Sequence, residues 1–510
     1  MKITIDTDYV VAKLKSFKIT KFLKSEWIYF ITVWRNFFGE KDFWKYFGFV
    51  YFIYFLGYFG LILADVYYID DLGRAQDGYI GFLNFSRYLS ENLSKLIHLN
   101  LHRNTDISPI TQLIAMALLS FGSMVLVKII NKKQSYFGLL ASIPLGLSPF
   151  FLENMSYKFD SPFMALALIS PIIPFLFLKK KFTFFIVSVL SVLITLNTYQ
   201  SANSVYLILS MFVILIMFIN KNKKINIVKN SFLFAISYAV SMFIYKFIIL
   251  TEVNGYVSSG AIKENLMQGF LNNIKHNLSR YQEVINDTTF EYIFYILVLF
   301  FLISIFKKAK INKFNALSLG FAFIILSVSL SQGAYLILEK PLTATRAYNG
   351  IGVVVAIIFI YSLNFKFINL SKIFVCFSAY FLIIQANSYG NALRAQEEYS
   401  QIRIKLMYSD LNKLAPIDGK FSVQIIKGVG NSPVTENSKK SFPIINSLKF
   451  QNLRPSWVWT TINNFRILGL KGNYYYKSCF NDTNKIVDSM DTAMHKITKY
   501  DNNCFVIEFK

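Results

Sequence analysis

Two adjacent carboxylates, Asp70 and Asp71, stand just past a long apolar block in the stretch VYYIDDLGRAQDGY. A carboxylate pair at the lip of a membrane helix is costly unless it is solvated, paired or used. Used, it supplies a general base or a clamp on a polar substrate; unused, it is a hydrated helix end. A second turn, FFLENMSYKFDSP, packs Glu153, Lys158 and Asp160 among aromatic and small residues. An ion pair between Lys158 and either acid is its plain reading. A third, NTYQSANSVY, offers Asn197, Tyr199, Gln200 and Asn203 without charge. Such groups suit hydroxyl-rich ligands and serve equally well to cap helix ends. In LEKPLTATRAYNG, Arg346 stands at the depth of lipid phosphates, either anchoring a helix or offering a planar fork to a phosphate. His98 and His102 share a helix face, but no third ligand stands nearby, so no metal is expected.

The elements that position these residues follow from composition. The 510 residues include 53 Lys+Arg against 29 Asp+Glu, yet only 16% of positions are charged and 54% are hydrophobic. A soluble domain is about 25% charged, so this much apolar surface must face lipid. Eleven apolar blocks read as spans: 47–66, 107–130, 136–151, 161–178, 182–198, 203–219, 228–250, 290–306, 314–338, 347–363 and 373–388. Alternate short loops hold Lys132 and Lys133, then Lys179, Lys180 and Lys181, then Lys221, Lys223 and Lys224, then Lys307, Lys308, Lys310 and Lys313, then Lys366 and Lys372. The opposite short loops hold only Lys158, Lys340 and Arg346. The lysine side is therefore read as cytoplasmic. Residues 1–46 form a basic amphipathic leader on that face, 47–390 an all-α polytopic membrane domain with outer loops 66–106 and 251–288, and 391–510 a small α/β domain outside. The net charge of +24 thus reflects topology and lipid contact, and nucleic acid is excluded as a partner. No phosphate-binding glycine loop is present.

Leu89, Leu93, Leu96 and Asn100 predict a helix along the outer surface, and Ile262, Leu266, Phe270, Ile274 and Leu278 another. His276 and Arg280 fall on the polar side of the second. In the tail, FSVQIIKG and CFVIEF read as strands. Cys479 and Cys504, outside the membrane, are expected to form a disulfide, while Cys376 within a span reads as a buried small side chain.

Paired acids, arginines, amides and rings gathered near lipid headgroups match glycosyl transfer from a lipid-phosphate sugar. The acceptor hydroxyl needs a carboxylate to take its proton, the leaving phosphate needs cations, and a carboxylate stabilises an oxocarbenium-like sugar. YYIDDLGRAQDGY, FFLENMSYKFDSP and NTYQSANS resemble the membrane glucosyltransferases of the type II serotype-converting family, which belong to the GT-C group and modify O-antigen. The resemblance runs from about residue 50 to 390. It implies a GT-C-like fold, undecaprenyl-phosphate-linked glucose as donor with no separate cofactor, an O-antigen acceptor, and a site on the periplasmic side of the inner membrane. The family's first-loop base maps to Asp71 or Asp70, with Asp71 slightly favoured. Arg74 becomes a phosphate or carboxylate partner, and Glu153 and Asp160 become second-loop acids. Where the family continues to a GRPL element this chain reads Ser86-Arg87-Tyr88-Leu89, and Arg87 carries over as a contact. Lys158, Tyr199, Gln200 and Arg346 complete the candidate substrate site. A small flippase and an enzyme that charges the carrier are the implied partners. A lipid-linked glycan flippase or transporter is the rival from another class, although the spans are almost free of charge except Lys246, and no internal repeat is visible. An O-antigen polymerase or ligase would share the substrates but lack the IDDLGR loop.

Overall fold

A chain crossing hydrocarbon must satisfy every backbone N–H and C=O within its own segment, and apolar runs of this length do so as helices. In a computed structural model all eleven apolar blocks fall largely on helix. The structure describes residues 18–251, 260–285, 289–365, 367–416, 419, 421–448, 453, 455, 458–469, 473–474, 479–481 and 483–510. Among them six helices are long and apolar enough to cross a membrane: Phe43–Ala64, Ile110–Asn131, Lys181–Thr198, Gln200–Ile219, Lys224–Ile249 and Ile368–Leu414. A seventh results if Tyr136–Leu147 and Pro149–Ser156, bent by 63°, count as one broken span.

The count of eleven is therefore not met, for a local reason. Proline lacks an amide hydrogen and clashes with the preceding turn. Pro144 and Pro149 break the third block, and Pro174 lies inside a 3-10 stretch, Ser170–Phe177, that ends the fourth. Lys313–Ser329 and Gly350–Ser362 are apolar but short, and Thr289–Lys308 carries Glu291, Lys307 and Lys308 at its ends.

The first span packs along the last of these six helices, the long Ile368–Leu414, at a crossing of two glycines. A Cβ on Gly390 would lie 2.4 Å from the backbone of Gly60 and Leu61. Asn387 locks the crossing, accepting from the Gly60 amide at 2.9 Å and donating to the Leu56 carbonyl at 2.8 Å. Small residues and amide side chains are the usual adhesive between membrane helices. The leader forms a helix, Lys18–Phe38, whose Glu26 pairs with Lys180 and whose Trp27 and Ile28 remain exposed; Lys13 and Lys15 lie outside the described residues.

The long helix runs without a break through residue 390 and carries Ile404, Met407 and Leu411 into the core of the C-terminal domain. There a five-stranded sheet has the order β2-β1-β5-β4-β3, from β1 (Ser422–Lys427), β2 (Asn473–Tyr474), β3 (Ile486–Asp491), β4 (His495–Tyr500) and β5 (Cys504–Phe509). The two strands read from sequence are β1 and β5, which pair in parallel from Ser422 against Cys504. Cys479 and Cys504 are joined by a disulfide. Cys376 departs from expectation. It is exposed, because its turn of the long helix faces away from the bundle together with Ile373, Phe377 and Tyr380.

Candidate active site

After the first span, Asp65 and Ile69 both take left-handed backbone conformations, at φ 49° and 48°. For a β-branched residue such as Ile69 this is an outlier costing on the order of 1–3 kcal/mol. The tight reversal places Asp70 at the cap and Asp71 at the first position of a short helix, Asp71–Asp77.

The two acids have different surroundings. Asp71 is fully buried, and its Oδ2 accepts the amides of Tyr68 at 3.2 Å and Lys158 at 2.9 Å while Oδ1 meets the Phe159 amide at 3.5 Å. It ties the first outer loop to the second. Burial pushes its carboxyl up to about 8, against the opposing pull of the Lys158 amide. Asp70 is half-buried, and its carboxylate makes no hydrogen bond to the described residues. Burial raises it above the usual carboxylate range; Arg74 opposes the rise, Asp160 adds to it, and Arg346 and Arg87 act from further off. Asp70 therefore lies in the field of three arginines.

Two of those arginines are neutralised by acids of the second loop. Arg74 pairs with Asp160, both side chains under a tenth exposed, and its guanidinium lies 4.5 Å from the centroid of the Phe82 ring. Arg346 pairs with Glu153 through its guanidinium, and its amide donates to Glu153 Oε2 at 2.9 Å. The third, Arg87, has no carboxylate partner among the described residues. Its Nε donates to Gln200 Oε1 at 2.9 Å and its guanidinium lies 4.8 Å from the Tyr199 ring centroid. Gln200 is itself held by the Phe85 carbonyl at 2.8 Å and the Tyr245 hydroxyl at 2.9 Å.

Lys158 does not pair with Glu153 or Asp160. Its ammonium sits 2.5 Å from Asp65 Oδ1 and 3.6 Å from Asp106, 4.2 Å from the centroid of Tyr67. The acids beside it in sequence are claimed by arginines from other loops. The third turn also divides. Asn197 caps its own helix on the Leu193 carbonyl, whereas Asn203 holds Tyr238 and the Ala334 amide. In the predicted surface helix, Tyr88–Ile97, Ser90 and Ser94 are buried and Leu96 is exposed, so it packs by its polar side more than by its leucines. His98 donates from Nδ1 to the Ser94 carbonyl at 2.9 Å and stacks on Phe159. Among the described residues no three His, Cys, Asp or Glu side chains are arranged to hold a metal.

Two features escape the sequence reading. A buried hydrogen-bonded chain runs from Asn154 through Asn349 to Ser201 at 2.8 and 3.1 Å and joins three of the turns. The C-terminal domain also grips the acid helix. Leu448 accepts from the Tyr68 hydroxyl at 2.8 Å, Asn463 accepts from Gln76 at 2.8 Å, and Arg466 makes a two-pronged bridge to Asp77 at 2.9 and 2.6 Å. No local pattern signals contacts almost four hundred residues apart.

A bundle of apolar helices with a cluster of acids and arginines at its lysine-poor end is a membrane protein with a charged, partly buried polar site at one end of its helices. The sequence pattern of the family described as glucosyl transferase GtrII matches residues 59–357, which contain that whole cluster, and the chain belongs to this family of membrane glycosyltransferases. It is also similar to an uncharacterised 55.3 kDa protein from the gtrB 5′ region of Salmonella phage P22, at 24% identity over 79% of this chain and 86% of that one. No solved structure matches the chain.

Proposed function

We propose that this protein transfers a hexose, glucose by family, from undecaprenyl phosphate to O-antigen or a related surface glycan, on the periplasmic face of the bacterial inner membrane, in the manner of GT-C enzymes. One observation carries the reading: Asp70 is a half-buried acid whose carboxylate makes no hydrogen bond to the described residues, in the field of three arginines. In the proposed step the acceptor oxygen bonds to the sugar's anomeric carbon as the bond to the lipid phosphate breaks, the hydroxyl proton passes to Asp70, and the phosphate leaves on its lipid. Asp71 is a positioning residue in this scheme, because its oxygens are occupied by amides of both loops. Lys158 fixes the loop on Asp65 and Asp106, and the paired Arg74 and Arg346 set the field. The donor must come from reactions that charge the carrier and turn it across the membrane. Comparing surface glycan by mass spectrometry with and without the protein tests the whole reading; an unchanged glycan overturns it.

Of the three arginines around Asp70, Arg87 is the one without a carboxylate partner among the described residues, and in this scheme it meets the phosphate. A charge-assisted hydrogen bond contributes about 1.5–3 kcal/mol, so Arg87→Gln is expected to lower kcat/KM for the lipid-linked donor by about 10- to 100-fold. Arg87→Lys should restore only part, since an ammonium cannot present a planar fork. Wild-type donor kinetics in Arg87→Gln would remove this role.

The orientation has its own test. Ser432 is buried as the cap of the helix Pro433–Ser441, but Lys440 on the same helix is exposed. A cysteine introduced at Lys440 is expected to react with a membrane-impermeant maleimide in spheroplasts, and protection until the membrane is permeabilised would invert the topology.

A further inference from the structure

Far from the acids, the outer wall of the helical region contains a groove of about 580 Å³. Its floor is Ile373, Cys376, Phe377 and Tyr380 of the long helix, and Phe137 from the helix Tyr136–Ser142 forms the other wall. Phe377 and Tyr380 are more than half exposed, on a helix whose opposite side is packed in the bundle. Lys372 and Asn369 stand at its mouth. At 1.5 Å per residue Lys372 lies about 27 Å along the helix from Gly390, where the helix crosses the first span near that span's outer end. The groove therefore opens at the lysine-rich end, beside the exposed Lys132 and Lys133 that precede Phe137 in the chain.

The chemistry of the groove is that of a lipid with a negative head. Lys372 has no carboxylate partner among the described residues; its ammonium lies 4.9 Å from the centroid of Phe137. A cation at headgroup depth without a counter-ion, above a strip of aromatic and aliphatic side chains descending about 12 Å from Lys372 to Tyr380, matches a phosphate with an acyl chain beneath it. Basic pockets between membrane helices on the cytoplasmic side bind anionic headgroups in this way. A protein partner would have to bring a carboxylate to the same depth. We infer that this groove is a binding site for one anionic phospholipid of the lysine-side leaflet. The inference stands apart from the transferase reading, since neither Lys372 nor its neighbours touch the acid and arginine cluster.

The groove carries its own reporter. The chain has 3 cysteines, and with Cys479 and Cys504 joined, Cys376 is the one thiol left to modify. The full-length protein is placed in vesicles of phosphatidylcholine alone, or of phosphatidylcholine mixed with phosphatidylglycerol, and the rate of Cys376 modification by N-ethylmaleimide is followed by mass spectrometry. One lysine near an anionic headgroup contributes about 1 kcal/mol, so modification should be about fivefold slower in the mixed vesicles. Lys372→Gln should abolish the difference. Equal rates in the two lipids overturn the proposal. So does a difference that survives Lys372→Gln, which would report only the surface potential of the vesicle, and so does protection that follows protein density instead of headgroup, which would place a second copy of the chain on this face.

Discussion

Asp70→Asn is expected to lower glycan modification by about 10²- to 10⁴-fold, the range a positioned general base contributes, with protein in the membrane at its normal level. An amide cannot take the acceptor's proton, but it matches the carboxylate in shape, and the Asp70 carboxylate makes no hydrogen bond to the described residues that the change would remove. Asp71→Asn should behave in the opposite way. The amides of Tyr68 and Lys158 share one oxygen of Asp71 and the Phe159 amide meets the other. Swapping an oxygen for an NH₂ strands at least one buried amide, at about 1–3 kcal/mol. That variant should lose protein from the membrane before it loses activity per molecule. Mass spectrometry of lipopolysaccharide beside immunoblotting of membranes separates the two, and normal modification by Asp70→Asn would end its assignment as base. The pH profile adds a sign. A base acts when ionised, and burial holds Asp70 above the usual carboxylate range. The acid limb of kcat/KM should thus lie above that range, with activity falling as pH drops through it and the limb absent from the residual rate of Asp70→Asn.

The residue types of the site were legible in the sequence because they are unusual where they stand: charges and amides in short turns between apolar blocks. Their partners were not. Proximity in the chain suggested Lys158 with Glu153 or Asp160, yet each acid is taken by an arginine from a different loop, Arg346 from the short loop LEKPLTATRAYNG and Arg74 from the first outer loop. Pairing of this kind depends on how the helices stack, and an apolar block does not encode its neighbours. The sequence could not separate the surroundings of Asp70 from those of Asp71 for a related reason. Which of two adjacent acids turns inward is decided by the left-handed turn at Ile69 and by the second loop arriving with free amides. The eleven apolar blocks read from hydropathy fall on helix, but among the described residues six or seven are long and apolar enough to span, since a window average smooths over Pro144, Pro149 and Pro174, which break the ladder while staying apolar. The soluble-looking tail reaches the candidate site through its contacts to Tyr68, Gln76 and Asp77, which lie at the two ends of the helix that bears the acids.

Asp160→Asn should be among the most damaging single changes to stability, and it should also move the chemistry. Arg74 and Asp160 are 4% and 8% exposed at their side chains. Removing one partner of such a pair leaves a bare charge in low dielectric at a cost of about 3–5 kcal/mol, a large share of the roughly 5–15 kcal/mol that holds a typical protein folded. Membrane levels and thermal stability of the purified variant should both drop. The surviving molecules should differ in a readable way. Asp160 raises the Asp70 carboxyl and Arg74 lowers it. With Asp160 neutral and Arg74 still charged, the Asp70 carboxyl falls, so the acid limb of kcat/KM shifts to lower pH while the weaker base lowers the maximal rate. Replacing both partners by apolar residues, Arg74→Met with Asp160→Leu, removes the bare charge and should recover much of the lost stability, since apolar substitution of a buried pair is often neutral. It also takes away both influences on Asp70 together, so the limb should return toward its original position. An Asp160→Asn protein as stable as wild type, with an unmoved acid limb, would mean that this pair neither holds the two outer loops together nor tunes the base between them.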